Sequence, residues 1–321
     1  MPSICITGGA GFIGSHLADA FLARGDRVTV LDDLSTGREE NVPPGAELLR
    51  LDVRSEQAAI RVEEGGFDLL VHQAAQMDVR RSVADPVHDA SINVLGSLNL
   101  LEAAVRGRIR RVLFASTGGA IYGEQDRYPA DEDHPARPLS PYGVAKLAVE
   151  RYLYYYAVEK GLEAVALRYA NVYGERQNPH GEAGVVAIFC NRLLAGEPAT
   201  INGDGLQTRD YVHVSDVVKA NLAAAEAELR TGGRGAGATV SPPFLVYNVG
   251  TGIETTVVDL YRHLAAAFGS DRPAAHGPAK PGEQRRSSID AGKLRRELDL
   301  PEPLPLADGL RRTAEWFRSE A

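Results

Sequence analysis

Along the first half of the chain, short runs of consecutive apolar residues alternate with longer stretches whose apolar positions recur every three or four residues. The short runs predict strands over 3–7, 27–31, 47–51, 68–72, 112–115 and 164–168. The longer stretches predict helices, among them 14–24, 93–105 and 141–160. Strands that read apolar throughout, separated by helices, belong to a parallel sheet buried on both faces.

After Asn171 the regular alternation fails, and Pro, Gly and polar residues become frequent. The expected division is a dinucleotide-binding unit over 1–170 and a smaller mixed α/β substrate lobe over 171–321. Later strands within about 208–250 are expected to return to the first unit. The Gly-rich stretch 231–243 reads as a surface loop before a strand over 244–247.

Composition narrows the partners. A net charge of −8 argues against nucleic acid, whose phosphates need a basic surface. No apolar run approaches the ~20 residues that span a bilayer. The chain starts directly in a strand-like run without a basic leader, so a cytoplasmic location is expected. The two cysteines, Cys5 and Cys190, fall in apolar runs and read as buried thiols. The eight histidines show no metal-ligand spacing, so no metal is expected.

Candidate chemistry begins at Thr7-Gly8-Gly9-Ala10-Gly11-Phe12-Ile13-Gly14. Gly8, Gly11 and Gly14 lie between the first strand and a helix. There glycines permit a tight turn, and the helix N-terminus offers N–H groups to a pyrophosphate. Asp32 ends the second strand, where a carboxylate accepts from ribose hydroxyls and repels a 2′-phosphate. That favours NAD over NADP. Asp52 and Val53, after the third strand, are placed to meet the adenine. The expected fold is thus α/β, a Rossmann-type doubly wound parallel sheet.

Tyr142 and Lys146 are one helical turn apart and share a face. A phenol has a pKa of about 10 and is a poor base at neutral pH. A nearby ammonium and a positive nicotinamide favour the phenolate, which then exchanges a proton with an alcohol. Ser116 and Thr117 close the fifth strand and add a hydroxyl at the same end of the sheet.

These motifs resemble those of the extended short-chain dehydrogenase/reductases, in particular the nucleotide-sugar epimerase group typified by UDP-glucose 4-epimerases. The likeness covers essentially the whole chain. It includes the three glycines, Asn93-Val94-Leu95-Gly96, Ser116 to Gly123, Tyr142 to Lys146, Arg168 to Gly174, Arg209 to His213 and Tyr247 to Gly250. The resemblance implies tightly held NAD, with Ala74, Asn93, Lys146 and Tyr169 joining the glycine loop as cofactor residues. It implies that Tyr142 takes the proton of the sugar 4-hydroxyl and that Ser116 or Thr117, with Thr117 favoured, bonds the reacting oxygen. Related dehydratases carry an Asp-Glu pair just after that hydroxyl, and related decarboxylases an acidic residue. This chain has Gly118-Gly119. The expected reaction is 4-epimerisation of a UDP-hexose, UDP-glucose/UDP-galactose with UDP-GlcNAc/GalNAc a further pair. The alternative is another nucleotide-sugar enzyme of this type: UDP-glucuronate 4-epimerase, dehydratase, decarboxylase or reductase.

For the substrate, the resemblance implies Asn171 near the glycosyl phosphate and Arg209 on the diphosphate. Thr200 and Asn202 would flank the base and Glu283 the nucleotide ribose. The second diphosphate arginine of the family is here Lys280, with Arg285 or Arg286 available to compensate. Ser287 falls at the family's gatekeeper position, where a small residue accompanies tolerance of N-acetylated sugars. Tyr152, Tyr154, Tyr155 and Tyr156 lie on the helix that in this family forms a four-helix-bundle homodimer.

Overall fold

The computed structural model describes residues 1–178, 184–229, 242–279 and 284–320. Its strands in chain order are β1 (Ser3–Thr7), β2 (Arg27–Asp32), β3 (Glu47–Arg50), β4 (Leu69–His72), β5 (Arg111–Thr117) and β6 (Glu163–Tyr169). There follow β7 (Asn171–Tyr173), β8 (Thr200–Asn202), β9 (Thr208–His213), β10 (Phe244–Val249), β11 (Glu254–Thr256) and β12 (Ala275–Gly277). Seven of them form one parallel sheet in the order β10-β6-β5-β4-β1-β2-β3.

The sheet starts in its middle and grows both ways, so the strand order reverses between β1 and β4. Thr7 pairs with Leu31 on one side and His72 on the other, which leaves the carboxyl ends of β1, β2 and β4 level. A doubly wound sheet opens a crevice at such a switch point.

Both faces are covered because both are apolar. On one, Ile4, Ile6, Leu113 and Val165 meet Leu17 and Phe21 of helix Phe12–Ala23 and Ala220 and Ala224 of helix Val214–Glu226. On the other, Leu70, Val112 and Phe114 meet Leu100 and Leu101 of helix Ser97–Arg106 and Val149 and Leu153 of helix Pro141–Lys160. A separate core gathers Phe189, Ile201, Leu260, Leu264, Leu310 and Phe317. Beside it lie a three-stranded sheet, β11-β9-β7, and the pair β12-β8.

Two boundaries differ from the sequence pattern for clear reasons. The first helix begins at Phe12 rather than 14, immediately after the glycine turn. The helix expected over 93–105 is two pieces, a π-helical turn Ser91–Gly96 and then the α-helix. Ser97 Oγ donates to the Asn93 carbonyl at 2.6 Å, and a side chain inserted this way loosens the ladder. Within residues 208–250, β10 joins the large sheet, whereas β9 pairs with β7 and β11. Of the stretch 231–243 expected as a loop, all but its last two residues lies outside the described residues. Among the described residues, no helix is long and apolar enough to cross a membrane.

Arg111 anchors the foot of β5 to the helix on its far side. It is buried, and its guanidinium donates to the carbonyls of Ala224, Ala225 and Ala227 at 2.8, 2.8 and 2.6 Å while pairing with Glu163. These carbonyls end helix Val214–Glu226, where a cation is favoured. Arg111→Met leaves them and Glu163 without a partner and lowers stability by about 2–4 kcal/mol. Urea unfolding measures it, and a loss below about 1 kcal/mol would show that water replaces the guanidinium.

Candidate active site

The glycine turn is built by close approach. Gly8 has φ +68°, and a Cβ there would lie 2.7 Å from the Ala74 amide nitrogen. A Cβ on Gly14 would lie 2.1 Å from the Gly8 carbonyl oxygen, so the helix rests directly on the loop. Gly11 caps that helix without a side chain, and its amide donates to Gly8 at 3.1 Å. The first turn at Phe12 and Ile13 thus faces the crevice with no side-chain cap. A turn packed this closely against Ala74 and against its own helix, with bare N–H groups at the helix N-terminus, fits a pyrophosphate.

Asp32 is buried at the end of β2. Its carboxylate accepts from the amides of Ala10 at 3.0 Å and Leu34 at 2.8 Å, which fixes it beside the glycine loop. Burial raises its pKa, and the two amides oppose that rise. The carboxylate of Asp52 is gripped by its neighbour: Arg54 Nε lies 3.0 Å from both oxygens and Nη2 2.5 Å from one. Val53 is buried against Gly96, and its carbonyl accepts from Asn99 at 2.8 Å.

Two further residues serve as struts of the crevice. Asn93 staples the loop after β4, accepting from the Gln76 amide and donating to the Gln76 carbonyl, both at 2.9 Å. Tyr169 Oη accepts from Gln73 at 3.1 Å and Asn221 at 2.8 Å, and burial pushes its phenol up to about 12.

Helix Pro141–Lys160 starts at the mouth of this crevice. Ser140 caps it, accepting from the Gly143 amide at 3.2 Å, and Pro141 opens its first turn. Lys146 is 2% exposed. Its ammonium donates to the Ala115 carbonyl at 2.8 Å and lies 4.7 Å from the Phe114 ring centre and 5.8 Å from that of Tyr142. Burial pulls its pKa down to about 8, against an opposing pull from Asp89. For Tyr142, burial first and Asp89 second raise the phenol above its ordinary value. Burial and Asp89 thus act against the phenolate that Lys146 together with a positive nicotinamide is expected to favour. In the chain alone, desolvation wins.

Ser116 and Thr117 part company. Ser116 Oγ is buried and donates to Glu150 at 2.6 Å, on the side of helix Pro141–Lys160. Thr117 Oγ1 caps the short turn Gly118–Ile121, accepting from Ala120 at 3.2 Å, and keeps its proton to donate. A Cβ on Gly119 would sit 3.6 Å from Asn171 Oδ1 and 3.9 Å from Thr117 Oγ1. Thr117 and Asn171 thus flank a space that a side chain at 119 would enter.

Three arginines lie on β9 and at positions 285 and 286. Arg209, on β9, donates to the Thr208 carbonyl at 2.7 Å. Arg285 makes a two-point pair with Asp204 at 2.8 and 2.9 Å. Arg286 makes another with Glu254 and stacks 3.9 Å above Tyr128. Both expected substitutes for the missing arginine are therefore engaged by carboxylates. Thr200 and Asn202 lie on β8, and Ser287 is buried. Lys280 and Glu283 lie outside the described residues.

The groups that hold the site in place were not among the expected site residues. Arg168 Nη2 and Glu150 pair at 2.7 Å with both side chains buried, and Arg168 Nη1 donates to Tyr122 Oη at 2.9 Å. Asp210 accepts from Thr251, Gly252 and Ile289 and ties β9 to the chain after β10. Glu150 lies one helical turn beyond Lys146, a spacing that could have pointed to it. Arg168 and Asp210 fall within the stretches 168–174 and 209–213 named above, but their partners Glu150 and Thr251 are distant in sequence. Tyr156, grouped with the interface aromatics, is instead buried and donates to Glu102 at 2.6 Å, while Tyr152, Tyr154 and Tyr155 are exposed. Cys5 and Cys190 are buried free thiols, both pushed up to about 12. No cluster of three metal-ligating side chains occurs among the described residues.

A doubly wound sheet with a glycine cradle at its switch point and a Tyr–Lys helix beside it defines a dinucleotide-dependent enzyme. Residues 4–250 match the NAD dependent epimerase/dehydratase family, and the chain belongs to it. It is 42% identical to a UDP-glucose 4-epimerase of Mycolicibacterium smegmatis over 98% of both chains. A UDP-glucose 4-epimerase of Thermotoga maritima, solved with UDP-glucose, superposes with TM-score 0.92 at 42% identity, covering 99% of each chain. That of Thermus thermophilus, solved with NAD, gives 0.88 at 42% identity, covering 99% of this chain and 100% of the other.

An ammonium whose folded pKa lies below its unfolded value weakens the fold wherever it must stay charged. That cost is full below pH about 8, shrinks as pH rises from about 8 towards 10.5, and vanishes above. With cofactor removed, the parent is therefore expected to gain stability relative to Lys146→Met as pH rises from about 8 towards 10.5, whatever the offset between them at pH 7. Thermal scans of both proteins across that range read it, and a parent–variant difference that does not move with pH contradicts the electrostatic account.

Proposed function

We propose that this chain is an NAD-dependent 4-epimerase of UDP-hexoses that interconverts UDP-glucose and UDP-galactose. The observation that carries the reading is the pairing of Tyr142 and Lys146 with Thr117 and a carboxylate-free Gly118-Gly119. The similarity to UDP-glucose 4-epimerases over the full chain supports it.

NAD, when bound on the Gly8–Gly14 cradle with Asp32 at its adenosine ribose, supplies reversible hydride exchange at sugar C4. The chain's own residues do the rest. Tyr142 Oη takes the 4-hydroxyl proton as C4 becomes a ketone, and returns it when the alcohol reforms. Lys146, now holding Ala115, supplies the positive charge that offsets the burial of a phenolate. Thr117 Oγ1 donates to the reacting oxygen, a choice over Ser116 that the Ser116–Glu150 bond supports. Gly118-Gly119 stand where elimination of water would need an acid–base pair, so the sugar leaves with its oxygens intact. Asn171 and Arg209 bind the glycosyl phosphate and diphosphate, Thr200 and Asn202 flank the base, and Glu283 meets the ribose. The exposed Tyr152, Tyr154 and Tyr155, with Leu95 and Val144, suit a helical interface with a second copy.

Incubation with UDP-galactose is expected to yield UDP-glucose without net NADH, and sustained NADH release would discard epimerisation. Tyr142→Phe should lower kcat at least about 100-fold and Thr117→Val about tenfold or more, as expected for lost proton transfer and oxyanion bonding. Undiminished turnover in Tyr142→Phe would refute the mechanism. The small Ser287 favours N-acetylated sugars as further substrates. UDP-GlcNAc should turn over in the parent and slow sharply in Ser287→Tyr, with UDP-glucose turnover retained. No rate on UDP-GlcNAc in the parent would exclude the wider pocket.

A further inference from the structure

Asp89 is a buried carboxylate, 1% exposed, that none of the roles above uses. It sits on the short helix Pro86–Ala90, which packs against helix Pro141–Lys160. Its Oδ1 accepts from Asn93 at 2.9 Å and Gln76 at 3.0 Å. Its Oδ2 is buried and has no hydrogen-bond partner among the described residues. A carboxylate so placed is costly unless a positive charge faces it. Burial raises its pKa, and the bonds from Gln76 and Asn93, then the charge of Lys146 and then that of His88, oppose the rise.

We propose that Asp89 is a positioning residue for the Tyr142–Lys146 pair, holding Asn93 and the loop after β4 in place and supplying the fixed negative charge opposite Lys146. The inference rests on the reading of Tyr142 as the proton-transfer group. Three contacts give it geometry. Asn93 is locked from both sides by Asp89 and Gln76, Gln76 Nε2 reaches the Asp78 carbonyl at 2.9 Å, and Ser82, on the next helix, accepts from the Tyr142 amide at 3.3 Å. Asp89 thus braces the segment on which the first turn of the Tyr142 helix leans.

Its charge acts on both members in the same sense, keeping the proton on Lys146 and on Tyr142. Other ionisable groups close by are His88 on the Asp89 helix, Arg80 and Arg81 on helix Val79–Ala84, His72 on β4, and Glu150 with Arg168. His72 is neutral: burial, and then Lys146, pull it down to about 3, and it bridges Thr7 and Ser97. Glu150 and Arg168 neutralise one another.

Asp89→Asn separates charge from geometry, because its amide oxygen still accepts from Asn93 and Gln76. In the holoenzyme, the bell of kcat/KM against pH is expected to slide to lower pH on both limbs by about half a unit to one unit. Asp89→Ala, which removes the bonds as well, should add a loss of about ten- to a hundredfold in kcat with KM little changed. Asp89→Ser carries the same expected shift should Asp89→Asn fail to fold. A bell that stays in place while the melting temperature falls would reduce Asp89 to packing and overturn the assignment. Tyr142→Phe run alongside separates the two claims. Turnover surviving there overturns the site reading and this assignment together, while turnover lost there with an unmoved Asp89→Asn bell overturns this assignment alone.

Discussion

The buried pair between Arg168 and Glu150 is the contact on which the site depends. Glu150 comes from helix Pro141–Lys160 and Arg168 from β6. Glu150 also receives Ser116 from β5, and Arg168 reaches Tyr122, whose hydroxyl donates to Asn248 of β10 at 2.7 Å. One ion pair therefore fixes the helix bearing Tyr142 and Lys146 against three strands. Burying two charges gains little net energy, but breaking such a pair strands the survivor. The arrangement sets position more than it adds stability.

Around that anchor, the site is a contest between burial and charge. Lys146 and Tyr142 are both pushed toward their neutral forms by desolvation. A phenol that resists ionisation beside an ammonium pulled down to about 8 forms a poised couple. Such a couple changes state when a new charge enters the crevice. Asp32, by contrast, is held beside the glycine loop by backbone amides alone, so its geometry is set by the turn and not by a counter-ion.

Much of this was legible in the sequence because it rests on local signals. Apolar runs marked the strands, and Ser140-Pro141 marked the start of the reactive helix. Gly8 and Gly14 were readable because the turn tolerates no Cβ. What escaped depends on contacts between distant segments. Arg168, Asp210 and Asp89 look like ordinary charged residues until the fold buries them. The π turn at Ser91–Gly96 was hidden because its cause, a serine hydroxyl seated on a carbonyl, leaves the apolar spacing unchanged. Ser116 and Thr117 could not be told apart until alternation along β5 sent the first toward Glu150.

The return of β10 to the edge of the large sheet reaches beyond catalysis. The strand that covers β6 arrives only after β7, β8 and β9 have been made. A chain released after β6 would present a bare, apolar edge, and such edges recruit other strands. The cofactor unit is thus unfinished until most of the polypeptide has been synthesised. Cutting the polypeptide after β6 would separate the large sheet from its own edge strand.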